Sequence, residues 1–164
     1  MTIYLDHDGT VVEHQYPKMG RCNFGCMEVI KRLQDAGHEV ILNTYRADLN
    51  DGTLEEALKL LNERAWMLVK GRTERIAGEF QLKPIKATKQ KIHAEPWKLW
   101  GETEIQIYCD NEGKNYIYID DQASNMSLKP AVMSNGMMVD WDKVERELEE
   151  VGILPKRNKD GKEE

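Results

Sequence analysis

Cysteine is scarce. The chain has three, Cys22, Cys26 and Cys109, an odd number with no pairing framework. This excludes a small disulfide-stapled scaffold and points to a reducing compartment, so a cytoplasmic location is expected. No apolar run approaches bilayer-spanning length, and the N-terminus reads as a strand rather than a signal peptide, so no membrane partner is expected. Positive charge is in deficit, with 23 Lys and Arg against 29 Asp and Glu and a net charge of −6. That excludes a protein that grips nucleic acid by bulk electrostatics, while a local basic patch still admits a nucleic-acid partner. Internal repeats are absent. Cys22 and Cys26 have no second ligand pair nearby, so they read as core or partly exposed thiols rather than a zinc site.

The 164 residues suffice for one domain with a proper core. That domain is expected over residues 1–154, followed by a charged, disordered tail over 155–164. Thr2 to Leu5 reads as a strand, and Val11 to Gly20 as an irregular polar stretch. Cys22 to Ala36 reads as a helix, with Met27, Ile30 and Leu33 on one face and Gly37 just past its end. Glu39 to Asn43 is apolar through its middle, which suits a parallel strand buried on both faces. Thr53 and Glu56 form a capping-box pattern ahead of Leu54, Ala57, Leu58 and Leu61. Trp66 to Val69 reads as a strand or the end of that helix. A further strand is expected over Phe80 to Ile85, and a helix from Thr88 until Pro96 interrupts it. Glu104 to Tyr108 and Tyr116 to Ile119 alternate at period two around a turn at Asp110 to Gly113, a hairpin pattern. A short strand at Met137 to Val139 and a helix from Asp142 to Val151 close the domain.

Strand, helix, strand, helix, strand gives an α/β domain with a mainly parallel sheet, and ligands of such sheets sit at the carboxyl ends of the strands. Asp6 and Asp8 end one strand, Thr44 and Arg46 a second, and Asp120 and Asp121 a third. Parallel pairing puts all of them at one sheet edge. Asp6 and Asp8 flank a single residue, so in extended chain both point to one side, and Gly9 lets the chain leave the strand. Carboxylates gathered this way repel unless something positive sits among them, and hard oxygen ligands suit Mg²⁺. The plain alternative for each pair is a turn after a strand. Asp110 competes as a strand end but has no second acid beside it.

Asp6-His7-Asp8-Gly9-Thr10 resembles the D-x-D-G-T signature of the haloacid dehalogenase superfamily of phosphatases. Ile41-Leu42-Asn43-Thr44 is similar to its second motif, an apolar strand ending in Thr or Ser. Ile117 to Asp121 is similar to its acidic last motif, which Asn125 extends to D-D-x-x-x-N. Residues 118–123 and 138–141 also resemble compact, partly phage-encoded members. The resemblance implies a Rossmann-like three-layer α/β/α fold. It also implies a Mg²⁺-dependent phosphatase that hydrolyses phosphate monoesters through an aspartyl-phosphate. Asp6 would be the nucleophile and Asp8 the general acid and base. The metal would be held by the Asp6 carboxylate, the Asp8 backbone carbonyl, Asp120 and Asp121, and Thr44 would hydrogen-bond the phosphoryl group. Arg46 either binds substrate or faces solvent.

The superfamily also places a lysine upstream of the last motif, to offset charge on the transferring group. Lys83, Lys86 and Lys89 all lie in the right region, with Lys86 preferred for its place after the expected strand. Lys114 is set aside because six residues of strand rise put it roughly 20 Å away at the wrong end. No segment is long enough for a large cap domain. An open site of this kind admits nucleotides or nucleic-acid ends, with Val11 to Gly20 as a flap. The alternatives are a phosphotransferase and a catalytically idle fold that binds a phosphorylated partner. A receiver domain is disfavoured because D-x-D-G-T stands at residue 6. His7 reads as packed. Trp66, Trp97, Trp100 and Trp141 read as packing residues, with Trp97 and Trp100 held open as substrate contacts.

Overall fold

The computed structural model describes residues 1–70, 79–93, 105–123 and 126–157. The central sheet has five strands, β1 (Thr2–Leu5), β2 (Glu39–Leu42), β3 (Lys86–Ala87), β4 (Tyr108–Cys109) and β5 (Asn115–Ile119), of which β1, β2 and β5 carry buried apolar residues. Their order is β3-β2-β1-β5-β4. β1 runs parallel to β2 and β5, β3 runs parallel to β2, and only β4 is antiparallel. The fold is therefore α/β, with a mixed, mostly parallel sheet.

Register explains the two faces. Ile3 and Leu5 stand opposite Ile117 and Ile119, and all four are fully buried. Each such side chain stabilises the fold by about 1.5–3 kcal/mol. Tyr4, Tyr116 and Tyr118 fall on the other face, where the Tyr4 and Tyr118 rings stack at 5.5 Å.

The helices are α1 (Cys26–Asp35), the single turn α2 (Arg46–Leu49), α3 (Thr53–Glu63) and α4 (Trp141–Glu150), with a 3-10 turn at Ala65–Leu68. α1 begins four residues later than its periodicity suggests. Cys22 is taken by a bridge to Val12, and Gly25, at φ +98°, turns the chain into the helix. The Thr53 capping box does not form. Thr53 is already helical, and Asp51 Oδ1 accepts from both its N–H (3.0 Å) and its hydroxyl (2.5 Å).

The strand expected over Phe80 to Ile85 is irregular chain, and β3 starts only at Lys86. Asn62 holds this run by accepting from Ile85 N and donating to its carbonyl. Thr88 to His93 is also irregular rather than helical. The hairpin around Asp110 forms as expected, though β4 is only Tyr108–Cys109. Met137–Val139 does not join the main sheet. It pairs antiparallel with a segment that went unnoticed in the sequence, Leu128–Pro130.

Arg32 donates to Glu145 and to the Pro155 carbonyl, joining α1 to α4 and to the first residue past the core. Among the described residues no helix is long and apolar enough to cross a membrane.

Candidate active site

Three neighbouring parallel strands end at the same level. Asp6 N–H donates to the Ile119 carbonyl (2.9 Å) and Asn43 N–H to the Leu5 carbonyl (2.6 Å), so Asp6, Asn43 and Asp120 continue adjacent ladders. β1 lies between β2 and β5, where the order of connection reverses, and α/β sheets hold ligands at such a place. Thr10 Oγ1 donates to Asp6 Oδ2 and accepts from Asp121 N–H, both at 3.3 Å. The turn between them depends on Gly9, at φ +83°.

The positive partner is Lys91. Its Nζ lies 2.9 Å from Asp6 Oδ1, 2.6 Å from Asp120 Oδ2 and 3.0 Å from the Asn43 carbonyl. Asn43 fixes the segment that carries it, by accepting from Ile92 N–H and donating to the Ile92 carbonyl, each at 2.8 Å. Lys91 N–H is held by Asp48 Oδ1 at 2.8 Å.

Asp6, Asp120 and Asp121 each offer an oxygen within 4.8 Å of the others. Three carboxylates thus face one ammonium, and the excess negative charge appears in their acidities. Burial first, then the charge of Asp120, pushes Asp6 up to about 6 despite Lys91. Burial first, then Asp6 and Asp120, pushes Asp121 up to about 9. This hard-oxygen set could hold a metal cation.

Asp8 is arranged differently. Its carboxylate takes no part in the triad and is gripped by Arg46, Nε to Oδ2 at 2.8 Å and Nη2 to Oδ1 at 2.7 Å. Burial pulls the Asp8 pKa up, but the Arg46 hydrogen bonds and the charges of His7 and Arg46 outweigh it and hold it below the usual carboxylate range. Arg46 is 1% exposed, so the solvent-facing alternative is ruled out, and its Nη1 is buried without a hydrogen-bond partner. Thr44 Oγ1 accepts from Arg46 N–H at 3.2 Å. Asp6, Asp8, Thr44, Arg46, Lys91 and Asp121 all line one cleft of about 150 Å³.

The structure thus brings together Asp6, Asp8, Thr44, Arg46, Asp120 and Asp121 and corrects the lysine. Lys86 is exposed on β3, beside Ile41. Lys83 reaches the Gln34 carbonyl near the end of α1 (3.2 Å), and Lys89 is exposed. Lys91 was missed because a helix was expected from Thr88, which scrambles where each lysine points.

Asp110 closes its hairpin turn by accepting from Glu112 and Lys114 N–H. His7 is fully buried against Met19 Sδ (3.0 Å). Trp141 packs and donates to the Thr10 carbonyl. Asn125, Trp97 and Trp100 lie outside the described residues.

No match to this chain was found among family models, curated proteins or solved structures.

Proposed function

We propose that the protein is a Mg²⁺-dependent phosphatase of phosphate monoesters, working through an aspartyl-phosphate on Asp6 on a haloacid dehalogenase-like three-layer scaffold without a large cap. The observation that carries this reading is the meeting of Asp6, Lys91, Asp120 and Asp121 at the ends of adjacent parallel strands, with Asp8, Thr44 and Arg46 on the same cleft.

An Asp6 oxygen attacks phosphorus, and the bond from phosphorus to the ester oxygen breaks. Asp8 gives its proton to the leaving oxygen, then takes one from the water that cleaves the acyl-phosphate and regenerates Asp6. Lys91 and the Thr44 hydroxyl stabilise the charge on the transferring group. Asp6, Asp120 and Asp121 would hold Mg²⁺, with the Asp8 carbonyl as a further ligand, and the ion neutralises the repulsion between carboxylate and phosphate when bound. Free thiols at Cys22, Cys26 and Cys109 suit a reducing, cytoplasmic setting.

One observation favours a second reading, a domain that binds a phosphorylated partner without turnover. Arg46 keeps Asp8 ionised, and an ionised Asp8 cannot protonate a leaving group. The test is release of phosphate from a chromogenic monoester with and without Mg²⁺, beside Asp6→Asn and Asp8→Asn. Mg²⁺-dependent release that vanishes in Asp6→Asn is expected. Release that survives Asp6→Asn overturns the mechanism, and phosphate binding without release favours the second reading.

A further inference from the structure

The floor and the mouth of the cleft differ in chemistry. The floor is charged, built from the buried Asp6, Arg46 and Lys91 and the half-buried Asp8. The mouth is formed by His14, Tyr16, Tyr45, Leu49 and Gln122, with no lysine or arginine among them. Tyr16, Tyr45 and Leu49 are 38%, 46% and 48% exposed, large apolar groups left to solvent beside a polar cavity. Exposed apolar surface at the mouth of a cleft marks a ligand contact.

Both tyrosine rings are held in place. The Tyr16 hydroxyl donates to Asp51, and the Arg46 guanidinium carbon lies 5.3 Å from the centre of its ring. The Tyr45 ring sits 5.1 Å from the His93 ring, and Lys91 Nζ lies 5.4 Å from its centre. That ammonium is the one that touches Asp6. The Tyr45 ring therefore stands one step outward from the point where phosphorus must sit. Fixed aromatic faces recognise planar rings by stacking at little entropic cost.

Building on the phosphatase reading, we infer that the natural substrate is a nucleoside monophosphate, with its phosphate on Asp6 and its base stacked at Tyr45 and Tyr16. In a nucleoside monophosphate a sugar joins the phosphate to the base, so charged floor and aromatic rim would each meet one end of the same molecule. Among the described residues the rim has no lysine or arginine to match further phosphates, so nucleoside di- and triphosphates are disfavoured. The same lack, with a net charge of −6, disfavours a nucleic-acid end, whose backbone calls for cations along its path.

The test compares kcat/KM of the full chain in Mg²⁺ for a nucleoside 5′-monophosphate, ribose 5-phosphate and a 5′-phosphorylated oligonucleotide. The nucleotide is expected to exceed ribose 5-phosphate by about tenfold or more. In Tyr45→Ala that ratio should collapse, mainly through KM, and Tyr45→Phe should keep it. Equal values for nucleotide and ribose 5-phosphate, a ratio untouched by both Tyr45→Ala and Tyr16→Ala, or preference for the oligonucleotide overturns the inference and leaves the phosphatase reading standing. If no phosphate is released from any of the three, calorimetry with the nucleotide and ribose 5-phosphate separates the claims. Tighter nucleotide binding then upholds the subsite while hydrolysis fails, and equal or absent binding overturns both.

Discussion

Arg46 meets Asp8 in a two-pronged ion pair of 2.8 and 2.7 Å, and its Nη2 also donates to the Lys18 carbonyl at 3.1 Å. One buried guanidinium thereby joins the start of α2, the loop after β1 and the irregular stretch over residues 11–20. A planar fork suits a carboxylate in a way that an ammonium does not. Arg46→Gln leaves Asp8 and Lys18 without their donor, and the cost should be about 2 kcal/mol because Asp8 keeps access to water. Urea midpoints measure it. The same variant should raise the Asp8 pKa, read as a shift to higher pH of the alkaline limb of the kcat profile, where Asp8 loses the proton it donates.

Lys91 is the sole cation bonded to the carboxylate triad among the described residues. Lys91→Ala should lower kcat by about 10²–10³, the usual effect of losing a preorganised donor to transferring charge. It should also make the protein more dependent on metal, since a divalent ion is then the remaining counter-charge. Mg²⁺ should raise Tm more in Lys91→Ala than in the parent. Lys86→Ala, on the exposed side of β3, should change neither activity nor Tm.

The acids were legible in the sequence because their positions depend on strand ends alone. An apolar run followed by Asp6, Thr44 or Asp120 locates a side chain once the strands are known to be parallel. Lys91 was not legible, because three irregular residues separate it from the end of β3 and its place is set by Asn43 and Asp48, distant in sequence. Leu128–Pro130 escaped notice because a Pro in a three-residue edge strand leaves almost no periodic signal. The Thr53 cap was misread for a simpler reason. Asp51 lies two residues upstream, and a carboxylate accepts from helix-start donors more strongly than a hydroxyl does.

Metal binding should release protons. Asp6 is raised to about 6 and Asp121 to about 9, so at neutral pH the metal-free triad carries a proton that a bound cation must expel. Apparent Mg²⁺ affinity should rise with pH, approaching tenfold per unit per proton released, up to about pH 9. Calorimetry in two buffers of different ionisation enthalpy counts the protons. The stability of the metal-free protein should move the other way. Both folded pKa values lie above the unfolded ones, so the folded state binds more protons and stability from these groups falls as pH rises through them. Added Mg²⁺ should cancel that fall.

His7 should make the fold sensitive to acid. Burial lowers its pKa from 6.5 to about 4, and its ring is fully enclosed. Between those values the unfolded chain binds a proton that the folded one refuses, so stability rises with pH across the window. The shift corresponds to about 3 kcal/mol, present above pH 6.5 and lost as pH falls toward 4. Urea unfolding at intervals over this range, beside His7→Gln, isolates the contribution, because the substitution removes the titrating group and flattens the slope.

Gly9 ties the loop after β1 to the acids after β5. It sits at φ +83°, and a methyl group built on it would lie 2.2 Å from Asp121 Oδ2. Its carbonyl accepts from Val139 N–H at 2.9 Å, so the backbone there cannot withdraw without breaking the contact to Met137–Val139. Gly9→Ala therefore imposes a strained backbone and a collision with a carboxylate together. The collision is relieved most cheaply by moving Asp121, whose side chain can rotate. Stability should fall by about 1–2 kcal/mol from the backbone. Mg²⁺ affinity should fall as well, because the triad loses one of its three converging oxygens. Calorimetric titration with Mg²⁺ reads the second effect at a temperature where the variant is fully folded. Unchanged affinity would show that Asp121 does not help to hold the ion.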